Sequence, residues 1–321
     1  MVEPKIMEAT QPAPITPIFE FKQEDRIQEI SLALLKMSIR REAGLVSLRT
    51  IPVQYWTLYD LIESMLEQSN INYSNSKIYV QNNSSRAFLT DTEKSAGYDH
   101  KRAPINRWRF DKIIAIIHLP LIAVTDGDAG DIRNAAIGIT LNKEGLVVSF
   151  GMNLNICQNF NVMGGGTTLR TYPFGGVEGI QWELFHHKLG KMISKLDQVW
   201  AVQNEAMRMM KEYSFPPDLP IIDEIVGDLY IKAIQQAYFK GSYTPFDTHE
   251  LSNFVKAMIE DRKDNTDVSS VWDLYNWGTS IMKPGTVDIG EIANSSSMWS
   301  QYLMNRFDID VPEIDTEDDK L

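Results

Sequence analysis

Residues Ile113–Val124 read IIAIIHLPLIAV, which is the most apolar stretch of the chain and the one that decides its fold. A continuous apolar run of this kind is typical of a central β-strand that is covered on both faces. A membrane-spanning helix needs about 18 or more apolar residues in a row. This run is shorter, and His118 and Pro120 interrupt it. We therefore predict a buried strand, and we expect no contact with a membrane.

The segments around this run predict a mainly antiparallel sheet. Ala135–Leu141 and Leu146–Phe150 flank a short connection that ends in glycine, which is typical of a β-hairpin. Lys77–Gln81 alternates between apolar and polar residues, as a half-buried strand does. Two further strand candidates are Leu154–Cys157 and Thr168–Tyr172.

Apolar residues at three- and four-residue spacing predict helices on both sides of the strands. In the first half these helices lie around Ile27–Met37 and Trp56–Gln68. From about residue 180 the strand signals stop, and four helices are predicted, at Glu183–Tyr213, Asp223–Phe239, Asp247–Ile259 and Ser270–Met282. The last two begin with residues in the capping-box pattern. The predicted fold class is α+β, with a mixed N-terminal half and an all-α C-terminal half.

Composition divides the chain into four parts. Residues 1–20 contain four prolines and predict an extended arm, either a loose terminus or a partner-binding segment. Residues 21–180 form the predicted α+β domain, and residues 181–306 form a helical region packed on it. Residues 307–321 carry half of the net charge of −12 and predict a disordered acidic tail.

The amino-acid composition narrows the class of protein. Hydrophobic residues make up 43% of the chain and charged residues 23%, which is ordinary for a globular protein. Cys157 is the single cysteine, so the sequence excludes an internal disulfide and a cysteine-based zinc site. No secretory signal is visible. We expect a soluble protein in the cytoplasm of a cell, and we expect it to form homo-oligomers.

The search for catalytic and metal-binding motifs yields weak candidates. Thr125–Asp131 is rich in aspartate, but it lacks the ligand pattern of a calcium loop and is interpreted as a polar turn. Gly164–Gly166 lacks a Walker lysine, so we interpret it as a hairpin tip, or as an anion-binding loop with Arg170 beside it. His186 and His187 are adjacent and point to different faces of a helix. We predict no catalytic residue, no metal and no cofactor, and a hydrolase remains a third alternative.

One basic stretch stands out in this acidic chain. Lys94–Lys112 contains six Lys and Arg against two Asp. Cations that alternate with rings suit single-stranded nucleic acid, because the cations neutralise phosphates while the rings stack on bases. The candidate phosphate ligands are Lys101, Arg102, Arg107, Arg109 and Arg170, and the candidate stacking rings are Trp108 and Tyr98. The competing interpretation is a solvated loop that leads into the buried strand, with Trp108 and Phe110 as core residues.

Several segments, taken in order, carry a resemblance to a known family. The first is an early Ile-Pro-Val followed by a Leu-rich helix, at Ile51–Leu66, and the second is a hydrophobic-Cys-x-Asn block, at Asn153–Phe160. The third is a long helix that contains Met207 and Met210, and the fourth is the Trp-containing segment Val271–Asn276. Over about residues 45–285 this order resembles a family of uncharacterised phage- and plasmid-encoded proteins, domain of unknown function 932. The resemblance implies a mobile-element protein in a bacterial host cell, and it implies no established reaction.

Two hypotheses about function follow. The first is a non-enzymatic phage or plasmid protein that binds single-stranded DNA or RNA in replication or recombination. The alternative is a host-interaction or assembly protein that contacts a host or phage protein. The candidate anchors for that alternative are Met207, Met209, Met210, Trp272 and Trp277, for which the interior of the same chain is the competing location.

Overall fold

The computed structural model describes most of the chain, with gaps. The described residues are 16–22, 27–38, 55–82, 85–110, 112–124, 133–142, 145–154, 160–161, 168–171, 178–216, 220–238, 248–261, 268–282 and 292–310. Most of the predicted arm, most of the acidic tail and the segments around Asp126, Cys157 and Gly165 lie outside these residues.

The strands lie in the N-terminal half of the chain. They are β1 (Ile18–Glu20), β2 (Ile27–Glu29), β3 (Ser74–Gln81), β4 (Ser85–Ala87), β5 (Arg102–Pro104), β6 (Trp108–Phe110), β7 (Ile113–Val124), β8 (Arg133–Asn142), β9 (Gly145–Leu154), β10 (Phe160–Asn161) and β11 (Thr168–Thr171). A seven-stranded sheet has the order β10-β9-β8-β7-β3-β2, and β11 also pairs with β9. Its strand pairs are antiparallel, so the predicted α+β fold with a mainly antiparallel sheet is confirmed.

The run Ile113–Val124 is the central strand β7, as predicted. Alternate residues such as Ala115 and Ile117 face the main hydrophobic core. Ile114 and Ile116 lie on the opposite face and are also buried. The strand has no polar alternation because both of its faces are covered. The predicted hairpin is confirmed as well, since β8 and β9 pair from Asn142 opposite Gly145 onwards.

Nine helices lie in the described part of the chain, and six of them follow residue 177. They are α1 (Leu32–Met37), α2 (Tyr55–Gln68), α3 (Asp91–Ser95), α4 (Glu178–Ser194), α5 (Leu196–Glu212), α6 (Ile221–Tyr238), α7 (Thr248–Asp261), α8 (Val271–Ile281) and α9 (Ile292–Arg306). The predicted capping box at the start of α8 is confirmed, because the Ser270 hydroxyl accepts from the N–H of Asp273 and the Asp273 carboxylate accepts from the N–H of Ser270.

Two helix predictions need correction. The helix predicted around Ile27–Met37 is strand β2 followed by the short helix α1. The spacing of its apolar residues fits a helix, but pairing with β3 takes precedence, and the N–H of Ile30 donates to the Ile78 carbonyl at 2.8 Å. The helix predicted at Glu183–Tyr213 is interrupted at Lys195. Apolar spacing continues across this break because Leu189 and Leu196, on either side of it, pack in the same core.

The buried side chains form two large clusters that share one helix. The first cluster lies between the sheet and helices α1, α2, α4 and the start of α5. The second is built by helices α6 to α9 and the end of α5. Val199 and Trp200 belong to the first cluster, and Met207 and Met210 belong to the second. Helix α5 therefore crosses from one core to the other.

Candidate nucleic-acid interface

The basic stretch lies on a two-stranded ribbon formed by β4 and β6. Strand β4 follows β3 along the chain and β6 precedes β7, so the ribbon extends the pairing of β3 with β7. Ala87 pairs with Trp108, Arg86 with Arg109 and Ser85 with Phe110. Because side chains alternate between the two faces of a strand, Arg86 and Arg109 lie on the face opposite Ala87 and Trp108.

Trp108 lies in the interior on the inner face of this ribbon. Its side chain is 1% exposed and its indole N–H donates to the Ala103 carbonyl at 3.2 Å. The ring stacks on Phe110 and meets Phe19 and Phe21 edge-on, with ring centroids 5.3–6.1 Å from that of Trp108. No base can reach a ring buried in this way, so the suggested stacking role does not fit its position. The structure agrees with the competing interpretation of the sequence, in which Trp108 and Phe110 are core residues.

Strand β1 supplies the cover over Trp108. It pairs with β5 from Ile18 opposite Pro104 to Glu20 opposite Arg102. This pairing brings Phe19 against the inner face of the ribbon. The end of the predicted N-terminal arm is therefore a strand.

Arg107 is held by a carboxylate. Its Nε donates to Glu93 Oε1 at 2.7 Å. Glu93 also caps helix α3, where Glu93 Oε2 accepts from the N–H of Thr90 at 2.8 Å. The hydrogen bond from Thr90, followed by that from Arg107, holds the pKa of Glu93 below its usual range. A phosphate that bound Arg107 would compete with an ionised Glu93.

Lys101 lies on an exposed turn beside β4, and the exposed Arg102 follows it as the first residue of β5. The Asp99 carboxylate accepts from both of their backbone N–H groups at 2.7 Å, which fixes the turn. Arg102 is paired only loosely, because its Nε lies 3.6 Å from Glu20 Oε2 and both side chains are largely exposed. The turn lies against β4, since His100 Nδ1 is 3.4 Å from the Ala87 carbonyl oxygen.

Sequence reasoning missed two residues of the outer face, Arg86 and Phe88. Phe88 is 50% exposed, and its N–H donates to the Arg107 carbonyl at 2.9 Å, which extends the ribbon by one residue. Phe88 is two positions after Arg86, which places both side chains on the outer face beside Arg109. No local signal marks Phe88 as exposed, because Arg86-Ala87-Phe88 does not alternate between polar and apolar residues.

Arg170 lies apart from the ribbon. It is in β11, in the row of cross-strand partners Ile114, Thr140, Val147 and Arg170. Three strand spacings separate it from β7, or roughly 14 Å. Only its backbone is described. Tyr98, the other candidate ring, is half-buried next to helix α3.

The remaining candidates offer no second site among the described residues. His186 and His187 are both exposed on α4. In the part of the chain that the structure describes, no three His, Cys, Asp or Glu residues come together as a metal site would require. Within the same residues, no helix has both the length and the apolar composition that a bilayer crossing demands.

The proposed anchors for protein contacts are mostly interior. Met207, Met210, Trp272 and Trp277 are buried in the second core, and Met209 packs against it partly buried. The four buried side chains therefore stabilise the helical half.

Comparisons of the chain with protein-family models, with curated proteins and with solved structures return no match. The resemblance to phage- and plasmid-encoded proteins thus stays a prediction.

Proposed function

We propose that the protein binds single-stranded nucleic acid on the outer face of the β4–β6 ribbon. The surface consists of Arg86, Phe88 and Arg109, which we call the basic ribbon. The observation that carries the proposal is the exposed Phe88 ring beside the directly opposed pair Arg86 and Arg109. The resemblance to mobile-element proteins supports a place in replication or recombination.

The electrostatics of the surface favour a polyanion. Arg86 and Arg109 lie directly opposite each other, so one phosphate can accept hydrogen bonds from both. Residues 85–110 contain six Lys and Arg against three Asp and Glu, whereas the whole chain has a net charge of −12. A nucleic acid is therefore repelled by most of the protein and steered to this surface.

Phe88 adds an aromatic stacking surface to the charged side chains of the interface. An exposed ring offers a face on which any base can stack, worth roughly 1–3 kcal/mol per base. Stacking favours single strands because the bases of a duplex are already stacked on one another. Arg86 and Arg109 can contact the phosphates on either side of the stacked base.

Fluorescence anisotropy with labelled oligo(dT) and oligo(U) tests the proposal. Binding should weaken steeply between ~50 and ~200 mM salt, with a slope of about 0.7 per phosphate contact. Replacing Arg86 and Arg109 together by alanine should reduce that slope by about 1.4. Phe88→Ala should weaken binding about tenfold without changing the slope, because it removes stacking and no charge.

The matched control is a double variant that removes two cationic side chains far from the ribbon in sequence. Arg208 and Lys256 are exposed on helices α5 and α7. The double variant Arg208→Ala, Lys256→Ala has the same net charge as the ribbon double variant, and it should bind as the wild type does apart from a small uniform change. Equal losses in both double variants, or no salt-dependent binding by the wild type, would overturn the proposal.

A further inference from the structure

Three buried polar atoms on one face of helix α5 have no hydrogen-bond partner among the residues that the structure describes. They are Nε1 of Trp200, Oε1 of Gln203 and Oδ1 of Asn204. Residues three and four positions apart share one face of a helix, so these side chains are neighbours. The group lies where α5 passes from the first core, which contains Trp200, to the second core, which contains Met207. It is independent of the basic ribbon.

Trp200 brings a hydrogen-bond donor to this group. Its side chain is 3% exposed, and its indole N–H can donate but cannot accept. Two other buried indoles in the chain are satisfied by backbone carbonyls, since Trp108 donates to Ala103 and Trp299 donates to Tyr275. Within the described residues, the Trp200 N–H has no such carbonyl. Buried polar groups are rarely left in this state, because an unmade hydrogen bond is costly where water is excluded.

Gln203 brings an acceptor whose orientation is fixed. Its Nε2 donates to the Phe150 carbonyl at 2.6 Å, and its side chain is fully buried. If the amide were turned round, its oxygen would lie against the Phe150 oxygen, and neither of these atoms can donate. The unpartnered atom of Gln203 is therefore the carbonyl oxygen Oε1, which can only accept.

Asn204 brings a second acceptor. The residue as a whole is only half-buried, but its Oδ1 is buried and so points inwards. Side chains on a helix lean towards its N-terminus, so the amides of Gln203 and Asn204 extend over the turn that carries Trp200. The three atoms share this face and yet do not bond one another directly. Polar groups in such an arrangement are commonly joined by a bridging molecule.

We propose that this face of α5 binds one buried water molecule. The water oxygen would accept from the Trp200 N–H, and its two hydrogens would be donated to Gln203 Oε1 and Asn204 Oδ1. A buried water typically makes about three hydrogen bonds to polar groups that otherwise have no partner. A metal cation could not accept from the indole, and an anion could not donate to the two oxygens. Water is the smallest ligand that does both.

The proposed water site adjoins the contact between α5 and the sheet. The Phe150 carbonyl that accepts from Gln203 belongs to β9, between the residues that pair with β11 and those that pair with β10. Gln203 would thus bond the sheet through its nitrogen and the water through its oxygen. The water would complete the polar contacts at the place where α5 leaves the first core.

Nuclear magnetic resonance of the full chain, with ¹⁵N-labelled tryptophan, tests the proposal. Cross-peaks between water and each indole proton are recorded in NOESY and ROESY spectra. A long-lived bound water gives cross-peaks of opposite sign in the two spectra, whereas exchange of the indole proton with solvent gives the same sign. The Trp200 resonance, identified by its absence from Trp200→Phe, should show the opposite signs. Trp108 and Trp299 are the matched controls and should show no such cross-peak, because their N–H groups bond carbonyls.

A variant then tests the acceptors. Asn204→Leu replaces the second acceptor by an apolar side chain of similar size. It leaves the water with two partners, the fewest that a buried water has, and should weaken the Trp200 cross-peak about twofold or more. Gln198→Leu changes an exposed residue of the same helix and should leave the cross-peak unchanged.

The opposite results overturn the proposal. Absence of a bound-water cross-peak at Trp200 would show that the site is dry, as it would be if the Asn204 amide turned inwards and donated to Gln203. Equal cross-peaks at Trp108 and Trp299 would show that the indoles do not differ. An undiminished cross-peak in Asn204→Leu would exclude the proposed ligand set. If Trp200→Phe does not fold, the Trp200 resonance is identified as the indole signal that shifts most in Asn204→Leu.

Discussion

Trp299 of α9 lies directly against Gly278 of α8. A Cβ atom at position 278 would be 2.5 Å from Cε2 and 2.9 Å from Cζ2 of the indole, and closer still to Nε1. The same indole N–H donates to the Tyr275 carbonyl at 3.3 Å. The two helices therefore approach as closely as they do because residue 278 has no side chain.

Gly278→Ala should destabilise the helical half. The added methyl group must displace a fully buried indole, which costs about 1–3 kcal/mol in a packed core. Urea denaturation followed by tryptophan fluorescence measures this change in the free energy of unfolding. Gly227 in α6 is the matched control, because a Cβ there would meet nothing within 4 Å. Gly227→Ala should stabilise the protein by about 0.4–1 kcal/mol, and equal effects of the two changes would contradict the packing described here.

The contact between α6 and α9 should depend on pH through Asp228. Its Oδ2 accepts from the Tyr302 hydroxyl at 2.6 Å and from Lys232 Nζ at 3.1 Å. Burial acts to raise the pKa of Asp228, but the hydrogen bonds from Tyr302 and Lys232 outweigh it and leave the pKa lowered. A lowered pKa means that the stabilisation is present above the unfolded value of about 3.9 and is lost as the pH falls through the folded value.

Asp228→Asn should therefore cost about 1–2 kcal/mol at neutral pH and less as the pH drops below about 4. Urea denaturation at a series of pH values measures the difference from the wild type. Tyr302→Phe removes only the hydroxyl donor and should weaken the same pH dependence. A difference between Asp228→Asn and the wild type that stays constant across the series would show that this carboxylate does not carry the effect.

Nucleic-acid binding should tighten when Arg107 is released. Glu93→Gln removes the charge that holds Arg107, and glutamine still serves in a capping box, so α3 should remain intact. We expect affinity for oligo(dT) to rise roughly fivefold at low salt and the salt slope to steepen by about 0.7. Asp91→Asn removes a charge from the same helix but leaves the pair of Arg107 with Glu93 in place. If both variants bind equally well, overall charge explains the change and Arg107 plays no specific part.

Gln203 should contribute to the junction of the two cores. Its side chain is fully buried, and its Nε2 donates to the Phe150 carbonyl at 2.6 Å. Phe150 lies between the residues of β9 that pair with β11 and those that pair with β10. Gln203→Ala should lower the free energy of unfolding by about 2 kcal/mol, because it leaves a buried carbonyl without this donor.

Gln198 provides the control for this change. It lies on the same helix but is exposed, so Gln198→Ala should change stability by less than about 0.5 kcal/mol. Thermal denaturation of both variants distinguishes the two positions. Similar small effects would mean that the bond to Phe150 contributes little to the packing of α5 on the sheet.

Elements with a strong local pattern were predictable from the sequence. The apolar run of β7, the β8–β9 hairpin and the capping box of α8 each depend on residues close together in the chain. The sequence did not predict helix α9, because its serine-rich residues have a weak apolar pattern. Its Trp299 is buried through packing against Gly278 of another helix. Strand β2 was predicted as helix because its hydrogen-bond partner, β3, is distant in sequence.

The sequence predicts the positive charge of the candidate site, but it does not predict which side chains of the site face solvent. The alternation of Trp108, Arg109 and Phe110 already separates the two rings from the arginine. Which face meets solvent depends on Phe19, which reaches the inner face only because β1 pairs with β5. The pair of Arg107 with Glu93 likewise depends on where α3 lies.

The sequence by itself determined the α+β class, the central strand and the accumulation of positive charge, since periodicity, turn residues and charge are properties of neighbours along the chain. Only the tertiary structure decided that Trp108 is interior, that Phe88 is exposed beside Arg86, and that α5 belongs to both cores. Burial is decided by which distant segments pack together, and no local pattern contains that information.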